Sequence, residues 1–376
     1  MVKGLGCFPT TQQELLLRAS LLEGQESRES WKAWLQAGGD VENLDGGSYR
    51  LLPLLYKKLE KQGIKDPYML KVKAVYLHTF CKTQGLFYKT VDVLRALEQA
   101  GIKTILLKGA ALAMLYYKHA ALRPMHDLDV LVPTNKAGQA IEVLQNLGWQ
   151  PLVKAPHSQA FLSTTDAVEI DLHWHALLEL SEKDSDEDFW NDAVPFEINN
   201  FQGLTLSPTD LLFHVCIHGL KWEATPTFRW IADAMMILRS GRTIDWDRLL
   251  QLAKKHRMTL PLKESLMYLK NLLNAPVPAD VLERLESAHV TIAERFDYSS
   301  RICVHSERGP FLTLWAYYRE YQHWARSHAT SDSIIGFPAF LKQLWGVNNI
   351  WQVPYLAVKG FLSRSFNSVK RQLKSS

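Results

Sequence analysis

Cysteine is scarce in this chain. Four occur in 376 residues (Cys7, Cys81, Cys216 and Cys303), and no two form a CxxC pair. That excludes a disulfide scaffold and a thiolate zinc site, and it fits a reducing, cytoplasmic setting. Long apolar runs are missing too: no stretch approaches the roughly 18 residues of a membrane-spanning helix. The polar run Thr10–Glu14 stands where the apolar core of a signal peptide belongs, so neither export nor a transmembrane anchor is expected. GxGxxG and GxxxxGK[ST] are absent, which argues against a Rossmann dehydrogenase or a P-loop ATPase. There is no GxSxG elbow and no cysteine in a catalytic context, so a nucleophilic hydrolase is disfavoured as well. No charge of one sign dominates, since 43 Lys and Arg against 39 Asp and Glu leave only +4. Such a balance does not demand a nucleic-acid partner.

What is present is an ordinary globular composition, 47% hydrophobic and 22% charged, with periodicities that change along the chain. Residues 1–100 read as helical, with apolar residues three and four apart in TQQELLLRASLL, YRLLPLLYKKLEKQG and the long stretch from Asp66 to Gly101. Pro67 behind Asp66 predicts a first-turn proline, and Gly101 a C-terminal glycine cap. Residues 101–200 form a small mixed module. IKTILLK and LDVLV read as strands; Gly109 opens a helix, Thr134 caps another that Gly148 closes, and QAFLS with VEIDLHW reads as an antiparallel hairpin. Ser207-Pro208-Thr209-Asp210 predicts a helix start for region 201–330, with further helices at about 229–239, 246–256, 260–274 and 279–296. The fold class expected is α+β: a small mixed-sheet core flanked by helical regions.

The tail, 331–376, carries no acid after Asp332, while Lys342, Lys359, Arg364, Lys370, Arg371 and Lys374 interleave with Trp345, Trp351, Tyr355, Phe361 and Phe366. A basic aromatic segment of this kind suits a partner protein or an anionic membrane surface, although a packed helix with a solvated basic face is the commoner outcome.

The residues with chemistry to offer concentrate in the module. Lys108-Gly109 stand at a strand-to-helix turn, Arg123 follows, Asp127 and Asp129 alternate on a strand, and Asp171 lies on a later strand. Strand residues two apart share a face, so Asp127 and Asp129 converge on one cation, and Asp171 on a neighbouring strand completes a cluster. Three carboxylates in one place repel unless divalent cations lie between them, and oxygen donors with phosphate partners favour Mg²⁺ or Mn²⁺. Gly109 lets phosphate approach the backbone at a helix N-terminus, and Lys108 and Arg123 neutralise phosphate charge.

The order of LLKGAALAMLYY, RPMHDLDVLV and VEIDLHW resembles the nucleotidyltransferase superfamily typified by DNA polymerase beta, and more closely a bacterial family of uncharacterised nucleotidyltransferases. The lysine-glycine start is shared with abortive-infection toxin nucleotidyltransferases. The resemblance covers about residues 100–180 and continues loosely to about 260. It implies transfer of a nucleoside monophosphate from an NTP, with release of pyrophosphate, using two metal ions. Asp127, Asp129 and Asp171 would be the catalytic and metal-binding residues, and Lys108, Gly109 and Arg123 would sit at the nucleotide phosphates. Gly109 is followed by Ala110 and Ala111 where family members carry Gly-Ser or Gly-Gly, so a hydroxyl contact to phosphate is missing.

The histidines offer a competing pattern. His214 and His218 stand one helical turn apart, a spacing compatible with zinc, but without the glutamate of a metalloprotease. His173 is expected on the far side of its strand from Asp171, in a structural role, as are His175, His126 and Glu169. The basic residues gather in the tail rather than around the acids, which favours a small-molecule or peptide acceptor over RNA. The alternatives are a toxin-type enzyme acting on tRNA or RNA and a non-catalytic nucleotide-binding protein that kept the fold.

Overall fold

The computed structural model describes residues 7–166, 168–182, 184–220, 228–303, 308–327 and 336–360. Its helices in chain order are α1 (Thr11–Leu21), α2 (Gly24–Gln36), α3 (Gly46–Tyr49), α4 (Leu52–Lys61), α5 (Met69–Gln99), α6 (Lys108–Leu115), α7 (Ala137–Asn146), α8 (Glu187–Asn191) and α9 (Pro208–Gly219). There follow α10 (Arg229–Leu238), α11 (Trp246–Lys255), α12 (Thr259–Leu273), α13 (Ala279–Ser287), α14 (Ile292–Ile302), α15 (Pro310–Ser327) and α16 (Phe337–Leu344). The strands are β1 (Ile105–Leu106), β2 (Asp127–Leu131), β3 (Trp149–Lys154), β4 (Ser158–Ser163), β5 (Glu169–His173), β6 (Val194–Ile198) and β7 (Phe201–Thr205). They form one seven-stranded mixed sheet in the order β3-β4-β5-β2-β1-β7-β6. The chain is therefore α+β, as the change of periodicity at Gly101 predicts.

Local chemistry sets many boundaries. Thr10 caps α1 through a reciprocal capping box with Gln13, and Ser207 accepts the backbone N–H of Asp210 to start α9 behind Pro208. Gly101 and Gly148 end α5 and α7 with positive φ, +70° and +86°, where any side chain would be strained. Other expectations are corrected. α5 begins only at Met69, because Asp66 accepts the N–H of Tyr68 and holds the preceding residues in a turn. Thr134 does not cap α7. It opens a single 3₁₀ turn, and its hydroxyl donates to the carbonyl of Trp174. The stretch 279–296 is two helices, since Thr291 accepts the N–H of Glu294 and starts α14 afresh.

The 200/201 boundary falls inside a hairpin: β6 and β7 pair antiparallel and join the sheet through β7 alongside β1. Two large apolar clusters hold the chain. One lies under the sheet and gathers Leu94 and Leu97 of α5, Ala111 of α6, and Leu128, Val130, Phe161 and Ile170 of the strands. The other unites α1, α2 and α4 with α9–α13, so that Leu16, Leu17, Leu52 and Leu55 pack in one core with Leu212, Ile231, Leu262 and Leu266. The two helical regions at either end of the sheet module share this second core.

No helix among the described residues is long and apolar enough to cross a membrane. Of the basic aromatic tail, Trp351, Tyr355 and Val358 are exposed. The basic residues Arg364, Lys370, Arg371 and Lys374, with Phe361 and Phe366, lie outside the described residues.

Candidate active site

β2 and β5 run parallel in a register that places Asp127 opposite Glu169, Asp129 opposite Asp171 and Leu131 opposite His173. Because side chains on a strand alternate, Asp129 and Asp171 project from the same face of adjacent strands. Asp129 is buried and Asp171 half-buried. His173 corrects the expectation made for it: two residues beyond Asp171 on β5, it shares that face. Its Nε2 lies 3.1 Å from Asp171 Oδ2 and 3.3 Å from Asp129 Oδ1.

Lys108, the first residue of α6, completes the cluster with its Nζ 3.0 Å from Asp129 Oδ1 and 3.2 Å from His218 Nε2. Burial alone would raise the Asp129 carboxyl, but the Lys108 charge, with the His173 hydrogen bond, holds it well below the usual carboxylate range. Asp171 is lowered likewise: burial opposes, and the His173 hydrogen bond and charge prevail with help from the Ser158 hydroxyl. Burial would depress His173, but hydrogen bonds to both carboxylates push it up to about 9. The cluster sets the buried Asp129 and half-buried Asp171 carboxylates against Lys108 and His173.

Asp127 stands one pleat repeat before Asp129 on β2, half-buried at the strand's start. It is outside the close group of Asp129, Asp171 and His173, whose donor atoms all lie within 4.8 Å of one another. Gly109 is buried in the first turn of α6, and a Cβ there would meet Met125 Sδ at 3.1 Å and Arg123 Nη1 at 3.5 Å. Arg123 directs its other nitrogens away from the cluster. Nε and Nη2 each donate to Asp233 of α10 at 2.8 Å, and Tyr117 donates to the same carboxylate at 2.7 Å. This buried pair, which no motif announced, ties the β2 approach to the second helical region.

The zinc pattern does not assemble. His214 and His218 rings stack with centroids 5.8 Å apart, and His214 Nε2 donates to the carbonyl of Ala176. Burial pushes His214 down to about 3, so it is a neutral core histidine. Among the described residues the only close set of metal-competent side chains is Asp129, Asp171 and His173. Buried Asp129, half-buried Asp171 and the His173 imidazole, once its Nε2 has released its proton, offer donors that fit a divalent cation.

A groove of about 960 Å³ runs between the β3–β4 turn and the later helices, lined by Lys154, Ala155, Pro156, Glu179, Arg257 and Arg301 among others, and by none of Lys108, Asp129, Asp171 and His173. It adjoins the cluster through its wall: Ala155 N–H donates to Ser158, whose hydroxyl serves Asp171. The neighbouring His157 ring lies edge-on 5.5 Å from His173.

The family profile described as uncharacterised nucleotidyltransferase matches residues 48–274, more than half of the chain, and the chain belongs to that family. No curated protein matches it. Among solved structures it is similar to the antibiotic-resistance factor ANT(2'')-Ia, at 10% identity and a TM-score of 0.35, over 50% of this chain and 98% of that one. An antigenic nucleotidyltransferase-like protein from Paracoccidioides brasiliensis aligns at 15% identity and a TM-score of 0.36, over 55% of this chain and 95% of that one.

Proposed function

We propose that the protein is a metal-dependent nucleotidyltransferase that moves a nucleoside monophosphate from an NTP to a small-molecule or peptide acceptor. The observation that carries this reading is the register of Asp129 against Asp171, beside the Lys108–Gly109 helix start. The α6 N-terminus offers backbone N–H groups to the triphosphate, and glycine there lets Met125 and Arg123 pack against its first turn. Lys108 supplies positive charge on that side, whereas Arg123, expected at the phosphates, is buried and neutralised by Asp233. Asp129 and Asp171 would hold Mg²⁺ or Mn²⁺, with Asp127, expected as a third ligand, outside their close group on the nucleotide side; the ion would supply charge neutralisation of the phosphates.

The acceptor's nucleophilic atom forms a bond to the α-phosphorus as the bond from that phosphorus to the bridging oxygen breaks. Pyrophosphate departs with the electron pair, and the acceptor's proton is released to water. Most of the rate comes from positioning and charge neutralisation, as in other phosphoryl transfers. The groove supports a small acceptor. Its lining includes the cations Lys154, Arg257, Arg301, Arg308 and Arg319 beside the acids Glu179, Glu294, Asp297 and Glu320. Arg301 and Arg319 are paired with Glu179 and Asp297, so this is not the basic channel an RNA backbone requires.

The test is incubation with each α-³²P-labelled and γ-³²P-labelled NTP, Mg²⁺ or Mn²⁺, and acceptor panels of amino acids, peptides, sugars and bulk tRNA. The expected result is transfer of α-label to a small acceptor with stoichiometric pyrophosphate, lost in Asp129→Asn. Labelling of tRNA alone would establish the toxin-type alternative. Nucleotide binding without transfer to any acceptor would favour a non-catalytic protein.

A further inference from the structure

The nucleotidyltransferase pattern assigns metal binding to three carboxylates. The geometry of this chain points to a different donor set: we propose that a divalent ion displaces the Nε2 proton of His173, which is released to water, so that Nε2 becomes a metal ligand and Asp129, Asp171 and His173 form a mixed oxygen–nitrogen site that prefers Mn²⁺ to Mg²⁺. The inference rests on the reading above for the presence of a cation, and adds to it which atoms hold the ion and which ion they select.

Three observations carry it. First, neighbouring donors on an octahedral ion with bonds of about 2.1 Å lie about 3.0 Å apart. His173 Nε2 is 3.1 Å from Asp171 Oδ2 and 3.3 Å from Asp129 Oδ1, each close to the spacing of neighbouring octahedral corners, and all three donors lie within 4.8 Å of one another. Second, the arrangement is fixed by backbone. Parallel pairing sets Asp129 opposite Asp171, and the strand period turns His173 to the same face, so no side chain needs to swing in. Third, the ring has no other polar business. His173 is 3% exposed, and its Nδ1 is buried without a hydrogen-bond partner. The hydrogen bonds of the imidazole are on the Nε2 side, at the two carboxylates.

The donor type then decides the ion. Mg²⁺ is a hard cation that takes oxygen and keeps its waters, whereas affinity for imidazole nitrogen rises through the first-row transition series from Mn²⁺ onward. A set of two carboxylates and one imidazole, with waters and nucleotide oxygens in the remaining positions, therefore favours Mn²⁺. Asp127, one repeat along β2 and half-buried, is left free to meet the nucleotide side of the site.

The experiment titrates the full-length protein with MnCl₂, alone and with α,β-methylene analogues of the four NTPs. Bound Mn²⁺ is counted by electron paramagnetic resonance, and its ligands are read by electron spin echo envelope modulation. The expected result is a bound Mn²⁺ with ¹⁴N modulation from one imidazole, abolished by ¹⁵N-histidine labelling, and affinity above that for Mg²⁺ by about tenfold or more in competition. His173→Gln should lose the nitrogen signal and most of the preference. Should that variant fail to fold, His157→Gln and His218→Gln assign the nitrogen instead: the signal must survive in both. Bound Mn²⁺ with oxygen donors only, a signal that survives His173→Gln, or one lost in His157→Gln or His218→Gln would overturn the assignment while leaving the nucleotidyltransferase reading intact. Absence of any bound Mn²⁺, with or without nucleotide, would overturn both.

Discussion

Asp233 is where a single side chain decides most. It receives two hydrogen bonds from Arg123 and one from Tyr117 in a site sealed from water. Burial opposes its charge, but the Arg123 guanidinium keeps its carboxyl below the ordinary range. Truncating one partner of such a pair strands the other, so Asp233→Ala should cost about 3–5 kcal/mol in denaturant unfolding. A loss below about 1 kcal/mol, the scale of a surface pair, would refute the buried-pair account. His214 gives a pH test of opposite character. Held neutral with its folded pKa pushed down to about 3, it binds a proton in the unfolded chain near pH 6.5 but not in the folded one. Its contribution is therefore complete above about pH 6.5 and is lost as pH falls toward the folded value, at up to about 1.4 kcal/mol per pH unit. Unfolding curves between pH 7 and 4 should be shallower in His214→Met than in the wild type. Equal slopes would mean that another group carries the acid lability.

At the scale of elements, close approach of α9 and α10 depends on a missing side chain. A Cβ on Gly219 would fall 2.1 Å from Cγ of Trp230, far inside contact distance. Gly219→Ala should destabilise by about 1–3 kcal/mol through overpacking, whereas Ser207→Ala, which removes only the α9 cap, should cost about 1 kcal/mol. Thermal unfolding of the two variants side by side checks the ranking. Elements with local chemistry were legible in the sequence: α1 from its apolar spacing, α9 from its cap, α7 from its closing glycine, and β2 and β5 from their alternation. The hairpin of β6 and β7 was not, because EINNFQG hides its turn among asparagines with positive φ, and β1 supplies a partner strand about a hundred residues away. The same divide runs through the site. Asp129 and Asp171 stand opposite each other on paired strands, while Lys108, expected at the phosphates, pairs with Asp129. The partnership of Arg123 with Asp233 spans 110 residues and has no local signature, while the facing of His173 was readable from its two-residue spacing to Asp171 and was missed there.

Over the whole molecule, the first hundred residues and the later helices are joined by a common core rather than placed side by side. Leu16 and Leu17 of α1 are fully buried in the cluster that also holds Leu262 and Leu266 of α12. Tyr268 of α12 donates to Glu14 of α1. A chain trimmed to the family region, residues 48–274, loses α1 and α2 and uncovers that surface. It should show a lower unfolding midpoint and bind hydrophobic dyes, whereas a cooperative transition at the full-length midpoint would mean that the first helices are dispensable.

The central claim is that Asp129 and Asp171 form a metal-dependent nucleotide site. It is tested most directly by isothermal titration of the full-length protein with the four non-hydrolysable NTP analogues, in Mn²⁺, in Mg²⁺ and in chelator. The account predicts binding of at least one nucleotide that needs the divalent ion and disappears in Asp129→Asn and in Asp171→Asn, with both variants folded by circular dichroism. Nucleotide binding that persists in chelator and in both variants, or no binding under any condition, would contradict it.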